Sequence, residues 1–138
     1  MFASDKFRLV RADEKGYPAF YRVIWNDHVR EFSDLAPADR VECIEAVVAV
    51  ERVLREHLQP AKVNIASLGN MVAHLHWHVI ARFEGDPAWP ASAWSAPQRE
   101  GDAQRNAAIE GTRTNLEEAL RSALQMPPAD GRGNCTAS

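Results

Sequence analysis

The side chains best suited to chemistry sit in one stretch, AHLHWHVIAR (73–82), which holds three of the five histidines in the chain. His74, His76 and His78 stand at alternate positions. On a β-strand successive side chains take opposite faces, so these imidazoles would share one face, roughly 7 Å apart along it. Leu75, Trp77 and Val79 would take the other face, which suits a core. A lone histidine on a strand is ordinarily structural or simply exposed, but three in register among five outweigh that reading. Neutral imidazole also binds zinc. Such a site needs a further ligand from another element and a carboxylate or carbonyl behind each ring. The sequence holds no H-E-x-x-H, no C-x-x-C and no second His/Asp cluster. Phosphate chemistry fits better. A neutral imidazole nitrogen can attack phosphorus, while protonated neighbours hold phosphate oxygens and assist a leaving group. Alternation on a rigid strand supplies the fixed geometry such a step requires.

The elements that must position this row are legible in outline. FRLVRA (Phe7 to Ala12) and AFYRVIW (Ala19 to Trp25) read as strands around the turn DEKGYP, and so as a hairpin. SDLAPADR starts a helix, with Pro37 in the first turn and Asp39 at the positive end of the dipole. Cys43, Val47, Val50, Leu54 and Leu58, widened by Ile44 and Val48, form a helical stripe that Pro60 ends. From Pro37 to Leu58 this helix is about 33 Å long. KVNIASL (Lys62 to Leu68) and HLHWHVIAR (His74 to Arg82) read as a second antiparallel pair joined by GNMVA. The segment from Glu84 to Gly101 is rich in Pro and Ala and reads as irregular. Asp102 is a candidate N-cap for a second helix carrying Ile109, Leu116, Leu120 and Leu124. The pattern predicts an α+β fold, with an antiparallel sheet of about five strands packed against one long helix and a C-terminal helix. A single domain is expected over 1–125, with a disordered tail over 126–138.

Composition narrows the function. The chain has 138 residues, 46% of them apolar and 25% charged, which fits one soluble domain. A net charge of -3 argues against a general binder of nucleic acid or membrane surfaces. No apolar run approaches the ~20 residues that span a bilayer. MFASDKFRLV lacks the basic head and apolar stretch of a signal peptide. Cys43 in the helical stripe and Cys135 in the tail make no disulfide framework, so a reducing cytoplasm is the expected location.

The stretch NIASLGNMVAHLHWHVIAR closely resembles the histidine triad nucleotide-binding family. That family's signature is His-φ-His-φ-His-φ-φ, with φ apolar, and here it reads His74-Leu75-His76-Trp77-His78-Val79-Ile80. HVREFSDLAPADR resembles the family's approach to its long helix. The resemblance covers Phe7 to Arg82 and, more loosely, Trp89 to Trp94. It implies the same α+β fold, usually as a symmetric homodimer. It also implies hydrolysis or transfer of nucleoside monophosphates, typically adenylyl, from dinucleoside polyphosphates or phosphoramidates, with no cofactor and no metal. His76 would be the nucleophile and carry a transient nucleotidyl group. His78 would hold phosphate oxygens and help the leaving group. The His74 carbonyl would orient the ring of His76.

Further residues carry over one at a time. Asn64 is similar to the family's polar residue near the α-phosphate, or is a strand-end hydrogen bonder. Gly69 and Asn70 resemble the Gly–Gln pair ahead of the triad, in a loop one residue shorter. Asp13 falls near the family's ribose-binding position, or is a solvated turn residue. One departure stands out. Many relatives carry a fourth histidine in a P-G-H segment, where this chain has Phe20. His28 resembles a later histidine that is not usually catalytic. Phe20 and Tyr17 could stack on a base or could be packing. Arg82 reads as exposed at the strand end, His57 as a partner of the helix dipole, and Trp89 and Trp94 as core or interface filling. A nucleotide-binding or sensing module that keeps the triad only to bind phosphate is the alternative to an enzyme.

Overall fold

The long amphipathic stripe forms a helix with the expected limits. α1 spans Pro37–Leu58, opens on Pro37 with Asp39 in its first turn, and ends on Gln59 in the left-handed conformation. His57 lies in its last turn, where a basic group meets the negative end of the dipole. In this computed structural model the description covers residues 1–126. The tail expected over 126–138 therefore lies outside the described residues from 127 onward, as does Cys135.

Five strands form one antiparallel sheet: β1 Phe2–Ala3, β2 Phe7–Arg11, β3 Phe20–Trp25, β4 Lys62–Ala66 and β5 His76–Arg82. Their order is β1-β2-β3-β5-β4, so β5 lies between β3 and β4. β1 was not anticipated from sequence; two residues are too short to show a period, and pairing with β2 is what orders them. In register, Arg22 faces His78, Ile24 faces His76 and Phe20 faces Ile80 across β3 and β5. Asn64 faces Ile80 and Ala66 faces His78 across β4 and β5.

Alternation divides the sheet into two faces. Leu9, Tyr21, Val23, Trp25 and Val79 join Cys43, Val47, Val50 and Leu54 of α1 in the main core. The C-terminal helix is in two pieces rather than one, α2 Ala103–Gly111 and α3 Arg113–Gln125. The expected cap is present, with the Asp102 carboxylate accepting from Arg105 N at 2.9 Å. The break falls at Gly111-Thr112. The Thr112 hydroxyl donates to the Ile109 carbonyl at 2.9 Å, a local bond that competes with the helical ladder. Leu116 and Leu120 of α3 then close the main core over α1. On the opposite face Ala12, Tyr17, Phe20 and Ile80 form a second, smaller core, with Ala93 packed on it. The irregular segment thus covers part of the face that carries the histidines.

No helix among the described residues is long and apolar enough to cross a membrane.

Candidate functional site

The triad does not lie wholly on a strand. β4 stops at Ala66 and β5 starts at His76, so His74 belongs to the loop between them. Regular alternation therefore governs only His76 and His78. Their rings meet edge to face with centroids 4.9 Å apart. His74 is held instead by the chain after β3. Leu75 N donates to the Val29 carbonyl at 2.8 Å, and Trp25 N donates to the Leu75 carbonyl at 3.1 Å. This pins the backbone on which the triad begins.

Three short contacts then set the imidazole tautomers. His74 Nε2 lies 2.6 Å from the Trp25 carbonyl oxygen. A carbonyl only accepts, so Nε2 carries the proton and, in the neutral ring, Nδ1 is an acceptor. His28 Nδ1 approaches that acceptor at 3.0 Å and must donate to it. His76 Nδ1 lies 2.6 Å from the His74 carbonyl oxygen, so it too is the protonated nitrogen. In the neutral ring His76 Nε2 is then the nitrogen with the lone pair. The His76 carbonyl is itself held by the Ser67 hydroxyl at 2.9 Å. His28 and Ser67 had no signal in their spacing. His28 lies 46 residues from His74 and only the β3–β5 pairing brings them together.

His78 is the most enclosed member, 5% exposed. Phe20 and Trp94 meet its ring edge to face, with centroids at 5.6 and 4.9 Å. Its Nδ1 is buried with no hydrogen-bond partner among the described residues. Burial first, then electrostatic repulsion between the His76 and His78 rings and from the Arg22 guanidinium, pushes its pKa down to about 4. The ring is therefore neutral at neutral pH. Phe20 and Tyr17 are packing and not surfaces for a base: both are buried, and the Tyr17 hydroxyl accepts from Ala88 N at 3.3 Å. Trp94 is 48% exposed while touching both Phe20 and His78, so it edges the site as well as filling it.

Arg82 corrects the expectation of an exposed strand end. It is 1% exposed. Its Nε donates to Asp86 at 2.9 Å, Nη1 to Asn64 Oδ1 at 2.8 Å and Nη2 to the Ala91 carbonyl at 2.9 Å. The guanidinium also lies against the rings of Tyr17 and Trp89. Arg105 Nη2 sits 2.9 Å from the other Asp86 oxygen. This knot ties the irregular segment to the end of β5. It occupies the oxygen of Asn64 and leaves the amide nitrogen as the group that can donate to a ligand.

The remaining candidates divide. Gly69 has φ +80°, a conformation that favours glycine, and Asn70 beside it is exposed in the loop leading to the triad. Asp13 lies in the turn after β2, where it lines a shallow hollow with Gly16, Tyr17, Asn106 and Glu110. No triad residue lines that hollow. No group of three or more His, Cys, Asp or Glu among the described residues is arranged to hold a metal ion. Burial pushes the Cys43 thiol up to about 11, so it is an inert core group.

A family model described as HIT domain matches residues 1–85. The chain is similar in structure to a histidine triad protein from Bradyrhizobium japonicum, with 28% identity, a TM-score of 0.70, and coverage of 88% of this chain and 87% of that one. A histidine triad protein from Sinorhizobium meliloti is similar at 28% identity and a TM-score of 0.66, over 83% of this chain and 81% of that one. Another from Marinobacter aquaeolei is similar at 26% identity and a TM-score of 0.65, over 85% and 87% respectively. No curated protein matches the chain.

Proposed function

The chain belongs to the HIT domain family, and on that premise we propose that it binds nucleotides and acts at their α-phosphate, as a hydrolase or transferase with His76 as nucleophile. One observation carries this reading: the His76 Nδ1–H donates to the His74 carbonyl at 2.6 Å. That bond orients the ring and, in the neutral tautomer, puts the lone pair on Nε2. Nε2 attacks the α-phosphorus, forming a P–N bond as the bond to the leaving group breaks with its electron pair. Water then attacks the phosphorus, the P–N bond breaks, and a nucleoside monophosphate and a proton are released.

The other residues take supporting roles. The neutral His78 faces the same site and holds a phosphate oxygen through one N–H. His74 works through its carbonyl. In this reading the amide of Asn64 and the Gly69-Asn70 backbone bind phosphate oxygens. Asp13, in the turn after β2, keeps its reading as a ribose-binding residue, beside that of a solvated turn residue. Dinucleoside polyphosphates and nucleoside phosphoramidates, with adenine as the base, are the substrate classes.

We also infer a symmetric homodimer, supported by the free edge of β4 and by Ile65, Leu68, Met71 and Val72, which are exposed on and beyond it. A binding module without turnover is the second reading. It is favoured by Phe20, which packs against His78 where relatives place a fourth imidazole.

The deciding measurement is a rapid quench with an α-labelled dinucleoside tetraphosphate and with adenosine phosphoramidate. A labelled protein adduct is expected in the wild type and none in His76→Ala. Tight binding of adenosine monophosphate with no adduct and no turnover of either substrate would establish the binding module instead.

A further inference from the structure

Arg8, Arg22 and Arg82 share the triad face of the sheet, and the two on the strands β3 and β5 that carry the site, Arg22 and Arg82, are employed differently. Arg82 uses all three of its nitrogens in protein hydrogen bonds. Arg22 does not. It sits in the middle of β3, directly opposite His78 in register. Side chains so paired have Cβ atoms about 5 Å apart on one face. Its Nε is buried with no hydrogen-bond partner among the described residues. Its one ion pair among the described residues is loose, Nη2 to Glu14 Oε1 at 3.3 Å, and Glu14 is exposed in the turn. The guanidinium is set by the Phe20 ring, 5.7 Å from its centroid.

As a structural choice this cation is poor. Its strand neighbours Val10 and Phe20 would pack well on an apolar side chain, and an unpaired buried N–H is costly. Its charge also disfavours protonation of His78. Those costs are accounted for if an anion arrives to pair with it.

We propose that Arg22 is the subsite for an anionic leaving group, holding the phosphate next to the α-phosphate, and that it selects phosphoanhydride substrates over phosphoramidates. The proposal rests on the reading of His76 as nucleophile. When Nε2 attacks a polyphosphate, the bridging P–O bond breaks and its electron pair stays on the departing oxygen. The leaving polyphosphate gains a negative charge, and a fixed guanidinium stabilises it with no proton transfer. A phosphoramidate breaks a P–N bond, and the departing amine needs a proton. Arginine cannot supply one, and His78, neutral in its buried setting, has no proton to spare. The same geometry therefore helps one leaving group and not the other.

The test compares kcat/KM for two substrates with the same adenylyl group, diadenosine tetraphosphate and adenosine phosphoramidate, in wild type, Arg22→Gln and Arg22→Lys. Arg22→Gln is expected to lower the tetraphosphate-to-phosphoramidate ratio on the order of ten- to a hundredfold, the effect of losing a charged hydrogen bond. Arg22→Lys, which keeps the charge, is expected to recover part of the ratio. An unchanged ratio, whether both activities fall together or neither falls, overturns the proposal. If the wild type forms no adduct and turns over neither substrate, the nucleophile reading fails separately. Equilibrium binding of inorganic tripolyphosphate then decides on Arg22: tenfold weaker binding in Arg22→Gln supports the subsite, and equal binding overturns it.

Discussion

The imidazole of His78 is kept neutral by its position. Phe20 and Trp94 exclude water from it, and the adjacent His76 imidazole and Arg22 guanidinium disfavour a second positive charge, so its pKa lies near 4 in the folded chain against 6.5 when unperturbed. Between these values the unfolded chain binds the extra proton and the folded chain does not. Stability therefore rises with pH across that window, is complete above about 6.5, and is lost as pH falls towards 4. Urea midpoints at pH 7 and pH 4.5 check this. His78→Gln should lose less stability over the interval than the wild type, and equal losses in the two proteins would refute it. The identity of the triad histidines was legible, because three at alternate positions are rare in a chain with five. The enclosure of His78 was not, since Phe20 and Trp94 reach it from distant stretches of chain.

Among the elements, β5 and the irregular segment after it act together. Arg82 ends β5 and Asp86 begins the turn that folds back over it, and both are buried. Two long-range partners, Asn64 on β4 and Arg105 in α2, complete the knot. Asp86→Ala would leave the Arg82 guanidinium buried without its counter-charge. Such a change is expected to cost about 3–5 kcal/mol of stability, read from chemical denaturation, with a shift in tryptophan emission as Trp89 and Trp94 loosen. A cost below about 1 kcal/mol, the range of surface pairs, would show that the pair does not hold the segment. The strand itself was legible from alternation and β-branched residues. The burial of Arg82 was not, because an Arg at a strand end is ordinarily solvated, and what covers it here is a segment without a period. For the same reason α1 was read to its ends, while the break between α2 and α3 was missed. Leu116, Leu120 and Leu124 continue the spacing from Ile109, and only the local bond of Thr112 interrupts it.

For the whole molecule the decisive feature is the outer edge of β4, which pairs with no other strand among the described residues. Ile65, Leu68 and Val72 are exposed there, and Met71 is 99% exposed. Unpaired strand edges with apolar side chains are surfaces that another chain can cover. If two copies meet on this edge, Ile65→Lys should shift a wild-type dimer towards monomer in sedimentation equilibrium. A wild-type monomer at micromolar concentration would overturn the dimer. Residue order alone determined the α+β class, the limits of the long helix, the presence of strands on both sides of it, and the group of histidines, because periodicity and turn chemistry act within a few residues. Tertiary structure decided how those histidines differ. Pairing of β3 with β5 brought His28 to His74 and Arg22 to His78. The short β5 moved His74 into the loop, so that its carbonyl, and not its ring, meets His76. The segment around Trp94 enclosed His78. The His74–His76 contact itself spans two residues and was expected, but the others depend on residues far apart in the chain, and no local pattern in AHLHWHVIAR contains them.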